Sequence, residues 1–243
     1  MRLRRRGRAS CRLQARASST PVCKKICLTL ENPGPESLVA AARAAGVGDA
    51  RVLAAVTAVP RALFVPPAQV DRAYLDEPLP IAHGQVTTQP SLVARMVEAL
   101  ALTGAERVLE VGTGYGWQTA LLASLGDFVW SVERWEDLAD AARANLKRYG
   151  TRNTEIVVGD GTEGLPEQAP FQAVIVSAAF PRVPPPLVEQ LAPAGRLVQP
   201  IGRGGNEEVI QFERRGESLA AVRNLTGARF VPLVGRHGFR DER

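Results

Sequence analysis

The chain has 243 residues, of which 30 are Lys or Arg and 25 are Asp or Glu, with a formal net charge of +5. This length suits one large α/β domain or a domain with an appendage. No apolar run approaches the roughly 20 residues that span a bilayer, so we expect no membrane partner. Nine basic residues and no acid lie in residues 1–30, which leaves the remainder with a net charge of −4. That balance disfavours a basic nucleic-acid-binding face on the folded body.

The first 34 residues differ in composition from the rest. We predict that residues 1–34 form a disordered basic extension. Their Arg, Ser and Ala content is also typical of an organellar transit peptide, and an upstream start codon would explain them equally well. All three cysteines, Cys11, Cys23 and Cys27, lie here, and a body without cysteine fits a reducing compartment, so we expect a cytoplasmic protein. Cys23 and Cys27 lack the further ligands of a zinc site, and no metal is predicted.

Residues 35–243 are predicted to form one domain, in which residues 35–104 are the helical, substrate-side part. "PESLVAAARAAGVG" indicates a helix that ends at glycine, and "DARVLAAVTAVP" a second helix that Asp49 caps and Pro60 ends. After proline-punctuated segments, "QPSLVARMVEALAL" returns to helical spacing, with Val93, Met96 and Leu100 on one stripe. Met96 on such a stripe is expected in the core.

Residues 105–235 alternate between strand and helix patterns, and residues 236–243 form a tail. We predict strands at "RVLEVG", "FVWSVE", "TEIVVG", "QAVIVSA" and "GRLVQPIG", and helices at "WQTALLASL", "EDLADAARANLKRYG" and "PPPLVEQLAP". This alternation predicts an α/β, Rossmann-like fold whose mostly parallel sheet is covered on both faces. "EEVIQFERRGESLAAVRNL" predicts a C-terminal antiparallel hairpin with its turn at Arg214–Ser218.

A glycine-rich turn joins the first strand to its helix in "VLEVGTGYGWQTALLA". Such turns let the backbone approach a bound small molecule. The dinucleotide fingerprint requires a glycine where Trp117 stands, because here the third glycine comes one residue early, at Gly116. The Gly-Lys-Ser/Thr ending of a phosphate-binding loop is absent, which excludes a nucleoside triphosphate site.

Three acids lie at the carboxyl ends of neighbouring strands: Glu110 just before the glycine turn, Glu133 at the end of the next strand, and Asp160 after a further strand. Glu133 ends the strand after the turn, about 20 residues on, where an acid accepts the hydroxyls of a ribose. Asp160 follows a further strand, within reach of an adenine amino group. A nucleoside without phosphate, with an amino-acid tail over the glycines, fits S-adenosylmethionine, and the fold is then that of class I S-adenosylmethionine-dependent methyltransferases. The alternative is that Glu133 merely caps a helix.

From Glu36 to Gly235 the chain resembles the protein-L-isoaspartate (D-aspartate) O-methyltransferase family, which repairs damaged aspartyl residues. The resemblance includes the glycine turn and the segments "SVERWEDLA", "GDG", "IVSAAFPRVPPPLVEQLAPAGRLVQPIG" and "ARFVPLVG". Its specific part precedes the turn, because other methyltransferases share only the later motifs. That specific part consists of "VPRALFVP", "AYLDEPLPI" and "HGQVTTQP".

The resemblance implies roles for individual residues. Thr88 stands where the family commonly has an active-site serine, and the segment Arg229 to Leu233 resembles the one that closes over the substrate. The implied cofactor-binding residues are Glu110, Gly112, Thr113, Gly114, Glu133, Arg134, Gly159, Asp160 and Gly161. The implied substrate-binding residues are Asp76, Gln85, Val86, Thr87, Val231, Pro232 and Leu233.

The chain departs from the family pattern at three positions. Thr88 keeps a hydroxyl but is stiffer than serine, and Gln172 replaces a common Asp at the start of a strand. Ala82 replaces a usual glycine, which would be unfavourable if that position needs a positive φ.

Other conspicuous side chains have structural interpretations. Arg61 is expected to brace the amino-terminal helices, and Trp130, which alternates with Val129 in a strand, to pack in the core rather than stack on adenine. His83 is expected to be a surface or gating side chain, because an isoaspartyl carboxylate with a pKa near 4 is already ionised and needs no general base.

The resemblance implies methyl transfer from S-adenosylmethionine to the free α-carboxylate of L-isoaspartyl residues in proteins and peptides. The ester then cyclises without the enzyme to a succinimide, whose hydrolysis returns some aspartate. Alternatives are a related enzyme dedicated to one peptide that it converts to an aspartimide, a non-catalytic binding module, and a small-molecule methyltransferase. We expect a monomer.

Overall fold

The computed structural model describes residues 33–241, so the predictions made for residues 1–32 lie outside the described part. Its helices are α1 (Pro35–Ala44), α2 (Ala50–Ala58), α3 (Pro90–Ala99), α4 (Trp117–Leu125), α5 (Glu136–Tyr149) and α6 (Pro185–Glu189). Its strands are β1 (Arg107–Val111), β2 (Phe128–Glu133), β3 (Thr154–Val158), β4 (Phe171–Val176), β5 (Leu191–Ile201), β6 (Glu207–Arg215) and β7 (Ser218–Ala228).

The seven strands form one sheet in the order β3-β2-β1-β4-β5-β6-β7. Strands β1 to β5 run parallel, whereas β6 and β7 are antiparallel to their neighbours. The predicted α/β fold with a C-terminal hairpin is confirmed. The strand order reverses between β1 and β4, and open α/β sheets bind their ligands beyond the carboxyl ends of the strands at such a point.

Two apolar layers cover the two faces of this sheet. Along β1 the side chains alternate, since Val108 packs with helices α1 to α5 while Leu109 packs with α6 and the segment around Leu233. Met96 and Trp130 are both buried in these layers, as predicted. The Trp130 ring lies 5.9 Å from that of Phe171 and faces the core rather than a ligand.

One predicted helix is too long. "PPPLVEQLAP" forms a helix only as far as Glu189, because Leu191 already pairs with Phe171 at the start of β5. The buried Leu191 side chain fills the layer beneath the sheet. Strand β5 therefore begins four residues before the predicted Gly195, with an irregular register between the pairs of Phe171 and Ala173.

The first two helices begin and end as their sequences predict. The Asp49 carboxylate accepts the backbone N–H groups of Arg51 (2.7 Å) and Val52 (3.3 Å) at the start of α2. The helix ends at Ala58, two residues before Pro60.

Replacing this cap should destabilise the domain. Asp49→Ala leaves two N–H groups of α2 without their acceptor, and we expect the free energy of unfolding to fall by about 1 kcal/mol. Urea denaturation of the variant and the parent chain measures the change. Asp49→Ser, which keeps an acceptor, should stay within a few tenths of a kcal/mol. Equal losses in both variants would show that the cap is not what Asp49 contributes.

Candidate active site

The turn after β1 opens a space above the strand ends. Gly112, Gly114 and Gly116 have φ values of +95°, +55° and +90°, which disfavour any residue with a side chain. Helix α4 begins directly after Gly116. A Cβ added at Gly116 would lie 3.4 Å from the Cβ of Ala142 in α5. At Gly112 and Gly114 the backbone therefore borders a cavity with no side chain in between.

The Glu133 carboxylate at the end of β2 closes one side of this cavity. One oxygen, Oε2, accepts the Gly114 N–H at 2.9 Å, and the other accepts the Trp135 N–H at 3.1 Å. Burial raises the pKa of Glu133, against the lowering effect of these N–H groups. Glu133 therefore lies at the turn, as predicted, and its second contact is with Trp135, the residue before α5, which has no side-chain cap.

Glu110 lies behind the cavity wall rather than in it. Its side chain is fully buried and accepts hydrogen bonds from Gln118 Nε2 (2.9 Å) and Thr119 Oγ1 (2.5 Å). Burial raises the pKa of Glu110 to about 7, although those hydrogen bonds and one from Ser131 oppose the shift. Its contact with the cavity runs through Gln118, which lines it.

Gln118 and Ser177 are cavity residues that the sequence interpretation missed. Gln118 Nε2 also donates to Ser177 Oγ at 3.0 Å, so the orientation of the amide is fixed. Within the described residues, the buried Gln118 Oε1 has no hydrogen-bond partner. Their positions in the chain could have indicated this, because Ser177 directly follows β4 and Gln118 lies in the first turn of the helix after the glycine turn.

A second wall comes from residues 79–88, held by the buried guanidinium of Arg61. Arg61 donates to the carbonyls of Ala73 and Leu75 (both 3.1 Å), to that of Glu77 (3.2 Å), and to Thr87 Oγ1 (2.9 Å). The expectation that Arg61 braces the amino-terminal helices is wrong, since its acceptors lie in the loop that carries Thr87. Burial lowers the pKa of Arg61 to about 10, opposed by the charges of Asp76 and Glu77.

One cavity brings together most of the predicted site residues. Thr88 lines it beside the glycine turn, and Ile81 covers Gly114, since a Cβ there would lie 3.8 Å from Ile81 Cδ1. The predicted residues that line this cavity are Gln85, Val86, Thr87, Thr88, Gly112, Thr113, Gly114, Glu133, Arg134, Gly161, Val231, Pro232 and Leu233.

The family model for protein-L-isoaspartate(D-aspartate) O-methyltransferase matches residues 34–238. The chain belongs to this family. It is 49% identical over 200 residues to the protein-L-isoaspartate O-methyltransferase of Methanoculleus marisnigri, covering 82% of this chain and 90% of that one. It is 52% identical over 191 residues to that of Anaeromyxobacter dehalogenans, covering 78% and 91%.

Solved structures share the fold. A protein-L-isoaspartate O-methyltransferase structure matches with a TM-score of 0.74 and 28% identity, over 84% of this chain and 67% of the other. A putative family member from Plasmodium falciparum, solved in complex with S-adenosyl-L-homocysteine, matches with a TM-score of 0.70 and 23% identity, over 84% and 99%. This second likeness concerns the fold alone.

Four predicted site residues of this isoaspartate methyltransferase family member do not line the cavity. Glu110 lies behind Gln118, and the Gly159 N–H donates to the Glu133 carbonyl at 2.9 Å. The Asp76 carboxylate instead accepts the Ser91 N–H (2.8 Å) and Gln89 Nε2 (2.8 Å) at the start of α3. Asp76 thus supports the segment next to Thr88.

Asp160 is the fourth of these residues, and its carboxylate faces the C-terminal segment. Oδ1 accepts the N–H and hydroxyl of Thr162, and Oδ2 accepts the Arg236 N–H at 2.6 Å. Burial alone would raise the pKa of Asp160, but these hydrogen bonds lower it.

Two of the three departures from the family pattern, at Ala82 and Gln172, fit the fold without strain. Positive φ occurs at His83 (+59°) and Gly84 (+66°) but not at Ala82, so alanine there is unstrained. Gln172 lies in β4, and its Oε1 accepts the Arg107 N–H at 2.9 Å. Both replacements therefore fit the fold.

His83 ties the substrate-side loop to the start of α5. Its ring stacks on that of Trp135 at 3.9 Å, and its Nε2 lies 2.8 Å from Asp137 Oδ1. The contact with His83 lowers the pKa of Asp137. This exposed bridge fits the expected surface or gating role better than a role in proton transfer.

Over residues 33–241, no cluster of three or more His, Cys, Asp or Glu side chains could hold a metal ion. Within the same range, every helix is too short or too polar to cross a membrane.

The raised pKa of Glu110 should make stability depend on pH. An ordinary glutamate has a pKa of 4.5, so between pH 4.5 and about 7 the folded chain holds a proton that the unfolded chain has lost. Stability should therefore fall as the pH rises through this window, by roughly 3 kcal/mol, and level off above it. Urea denaturation at a series of pH values measures the slope.

Glu110→Gln is the matched control, because its amide keeps hydrogen-bonding capacity toward Gln118 and Thr119 without titrating. The variant should lose most of the slope between pH 4.5 and 7. An unchanged slope in the variant would mean that another group titrates.

Proposed function

We propose that the chain transfers a methyl group from S-adenosylmethionine to the free α-carboxylate of L-isoaspartyl residues in proteins and peptides. The observation that carries this proposal is one cavity with two different walls, in a chain of this family. The glycine turn and Glu133 form one wall, and the threonine-bearing loop that ends at Thr88 forms the other. The first suits a nucleoside with an amino-acid tail, and the second suits a carboxylate.

The residues present fit this cofactor. Glu133 offers carboxylate oxygens for the ribose hydroxyls, and the glycine backbone at Gly112 and Gly114 leaves room for the methionine part. Gln118 Oε1, buried and without a partner within the described residues, suits the ammonium group of that part. When bound, S-adenosylmethionine supplies an electrophilic methyl group on its sulfonium.

Gly159, Asp160 and Gly161 remain the proposed adenine neighbours, with Thr113 and Arg134 beside the nucleoside. Asp160 accepts three hydrogen bonds within the chain, and a carboxylate has about four acceptor sites. Capacity for an amino group therefore remains.

The chain must orient a carboxylate rather than activate it. The isoaspartyl α-carboxylate is ionised at neutral pH, so no base is required. Within the described residues, the Thr88 hydroxyl has no hydrogen-bond partner, which leaves it able to donate to a carboxylate oxygen. The apolar residues Val231, Pro232 and Leu233 also line the cavity. Transfer then requires an oxygen in line with the methyl group, roughly 3–3.5 Å away.

The enzyme's part in the reaction ends once the methyl ester has formed. Attack by the next amide nitrogen closes a succinimide, and hydrolysis of that ring returns part of the material as aspartate. Damaged proteins and peptides in general are the proposed partners, rather than one dedicated peptide.

We further propose that the enzyme is a cytoplasmic monomer without nucleic-acid or membrane partners. The net charge of −4 after residue 30 supports the absence of a nucleic-acid partner, and the absence of cysteine after Cys27 supports a reducing compartment. Light scattering coupled to size-exclusion chromatography tests the oligomeric state.

The first experiment measures methyl transfer from labelled S-adenosylmethionine to two peptides that differ only in carrying isoaspartate or aspartate. Base-labile label in the isoaspartyl peptide alone is the expected result. If the cofactor binds and neither peptide is labelled, the substrate assignment is wrong, and an enzyme dedicated to one peptide becomes the better explanation.

Thr88 variants test the orienting hydroxyl. Thr88→Ser should keep activity within a few-fold, because it keeps the donor. Thr88→Val, which is nearly isosteric but has no donor, should lower kcat/KM for the isoaspartyl peptide roughly 10- to 100-fold, the usual effect of losing one hydrogen bond to a charged group. Steady-state kinetics measures both. If valine is tolerated as well as serine, the hydroxyl is not the orienting group.

Glu133→Gln tests the nucleoside-binding carboxylate. An amide has one acceptor oxygen where the carboxylate has two, so we expect S-adenosylhomocysteine to bind roughly 10-fold more weakly. Isothermal titration calorimetry measures the affinity, and Glu155→Gln, on the exposed part of β3, is the matched control. Unchanged affinity in Glu133→Gln would leave Glu133 with a structural role only, as acceptor for the N–H groups of Gly114 and Trp135.

A further inference from the structure

A wide groove continues from the active-site cavity. It runs past the turn between β5 and β6 and past the segment that follows β7. The cavity and the groove share Gln85, Val231, Pro232 and Val234 as lining residues. A peptide whose isoaspartyl carboxylate reaches Thr88 therefore has a continuous surface on which the neighbouring residues can lie. The chemistry of this groove decides which neighbours it favours.

Three arginines give the groove its charge. Arg203 lies in the turn between β5 and β6, Arg229 follows β7, and Arg240 lies near the end of the described chain. All three are exposed, and none forms an ion pair within residues 33–241. Their charges therefore face whatever occupies the groove.

The acids of the groove are already engaged. The Glu207 side chain is 2% exposed, and its carboxylate oxygens accept the N–H groups of Gly205 (2.7 Å) and Phe230 (3.1 Å). Asp241 pairs with Arg134 at 2.6 Å. Neither acid neutralises one of the three arginines in an ion pair.

The Arg229 side chain packs against Gly205, in the turn between β5 and β6. Gly205 has a φ of +88°, and a Cβ at this position would lie 2.8 Å from Arg229 Nε and 3.0 Å from its Nη2. The guanidinium thus lies directly over bare glycine backbone. A side chain at Gly205 would displace it from the groove.

We propose that this groove binds acidic residues that flank the isoaspartyl residue, so that the enzyme prefers substrates with Asp or Glu nearby. The inference rests on the proposed function and deepens it, by naming the substrate class that the same site favours. Opposite charges across such a surface strengthen encounter and binding, and salt weakens the effect.

The test uses isoaspartyl peptides with two Glu, two Ala or two Lys residues, placed on either the amino or the carboxyl side. On the side that lies in the groove, kcat/KM should rank Glu over Ala over Lys. We expect roughly a 5- to 20-fold span at low salt, mostly in KM, shrinking toward 2-fold in 0.5 M NaCl.

Two matched double variants locate the effect. Arg203→Glu with Arg240→Glu should abolish or reverse the preference for Glu, measured as the ratio of kcat/KM for the Glu and Lys peptides within that variant. Arg152→Glu with Arg223→Glu makes the same change in net charge at exposed positions outside the groove, and should keep the preference.

Several results would overturn the inference. Equal kcat/KM for Glu, Ala and Lys peptides on both sides would refute it while leaving isoaspartyl methylation intact. Equal loss of preference in both double variants would assign the effect to overall charge rather than to the groove. If no isoaspartyl peptide is methylated, the proposed function fails, and this inference fails with it.

Discussion

The site depends on one constraint, which is that the chain must turn from β1 into α4 while its backbone comes directly up to the cavity above the strand ends. Positive φ angles at Gly112, Gly114 and Gly116 meet it. Even so the turn is tight, since a Cβ at Gly112 would lie 3.3 Å from that of Ser177. The Gly114 N–H then points at Glu133, so the same turn that clears the cavity also fixes the carboxylate at its edge.

Two buried ionisable side chains connect this turn to the rest of the molecule, and they are satisfied differently. Arg61 has four acceptors and stays charged, so it holds the loop of Thr87 against the domain. Burial raises the pKa of Glu110 to about 7, because its neutral donors lower the pKa by less than burial raises it. Gln118 Nε2 donates to both Glu110 and Ser177, and these two hydrogen bonds fix the orientation of its amide. Arg61 thus holds the loop that carries Thr87, and Glu110 holds Gln118 at the start of α4.

Local patterns predicted most of this fold, because periodicity, caps and glycine positions act over a few residues. The strands, the cap at Asp49 and the place of Glu133 belong to this class. What sequence patterns could not supply were contacts between distant segments. Arg61 reaches Thr87 across 26 positions, and His83 reaches Asp137 across 54. The early end of α6 has the same origin, since only the pairing of Leu191 with Phe171 decides it.

Thr88 illustrates how such a chain can present a hydroxyl with no partner of its own among the described residues. The residue before it accepts hydrogen bonds from Arg61 and from the Leu79 N–H. The residue after it donates its amide to Asp76, which also caps Ser91 at the start of α3. With both neighbours fixed, the backbone at Thr88 is set without using its own side chain. A β-branched residue at Thr88 then needs only one χ1 rotamer to present its hydroxyl to the cavity, because the backbone that carries it is already held by its neighbours.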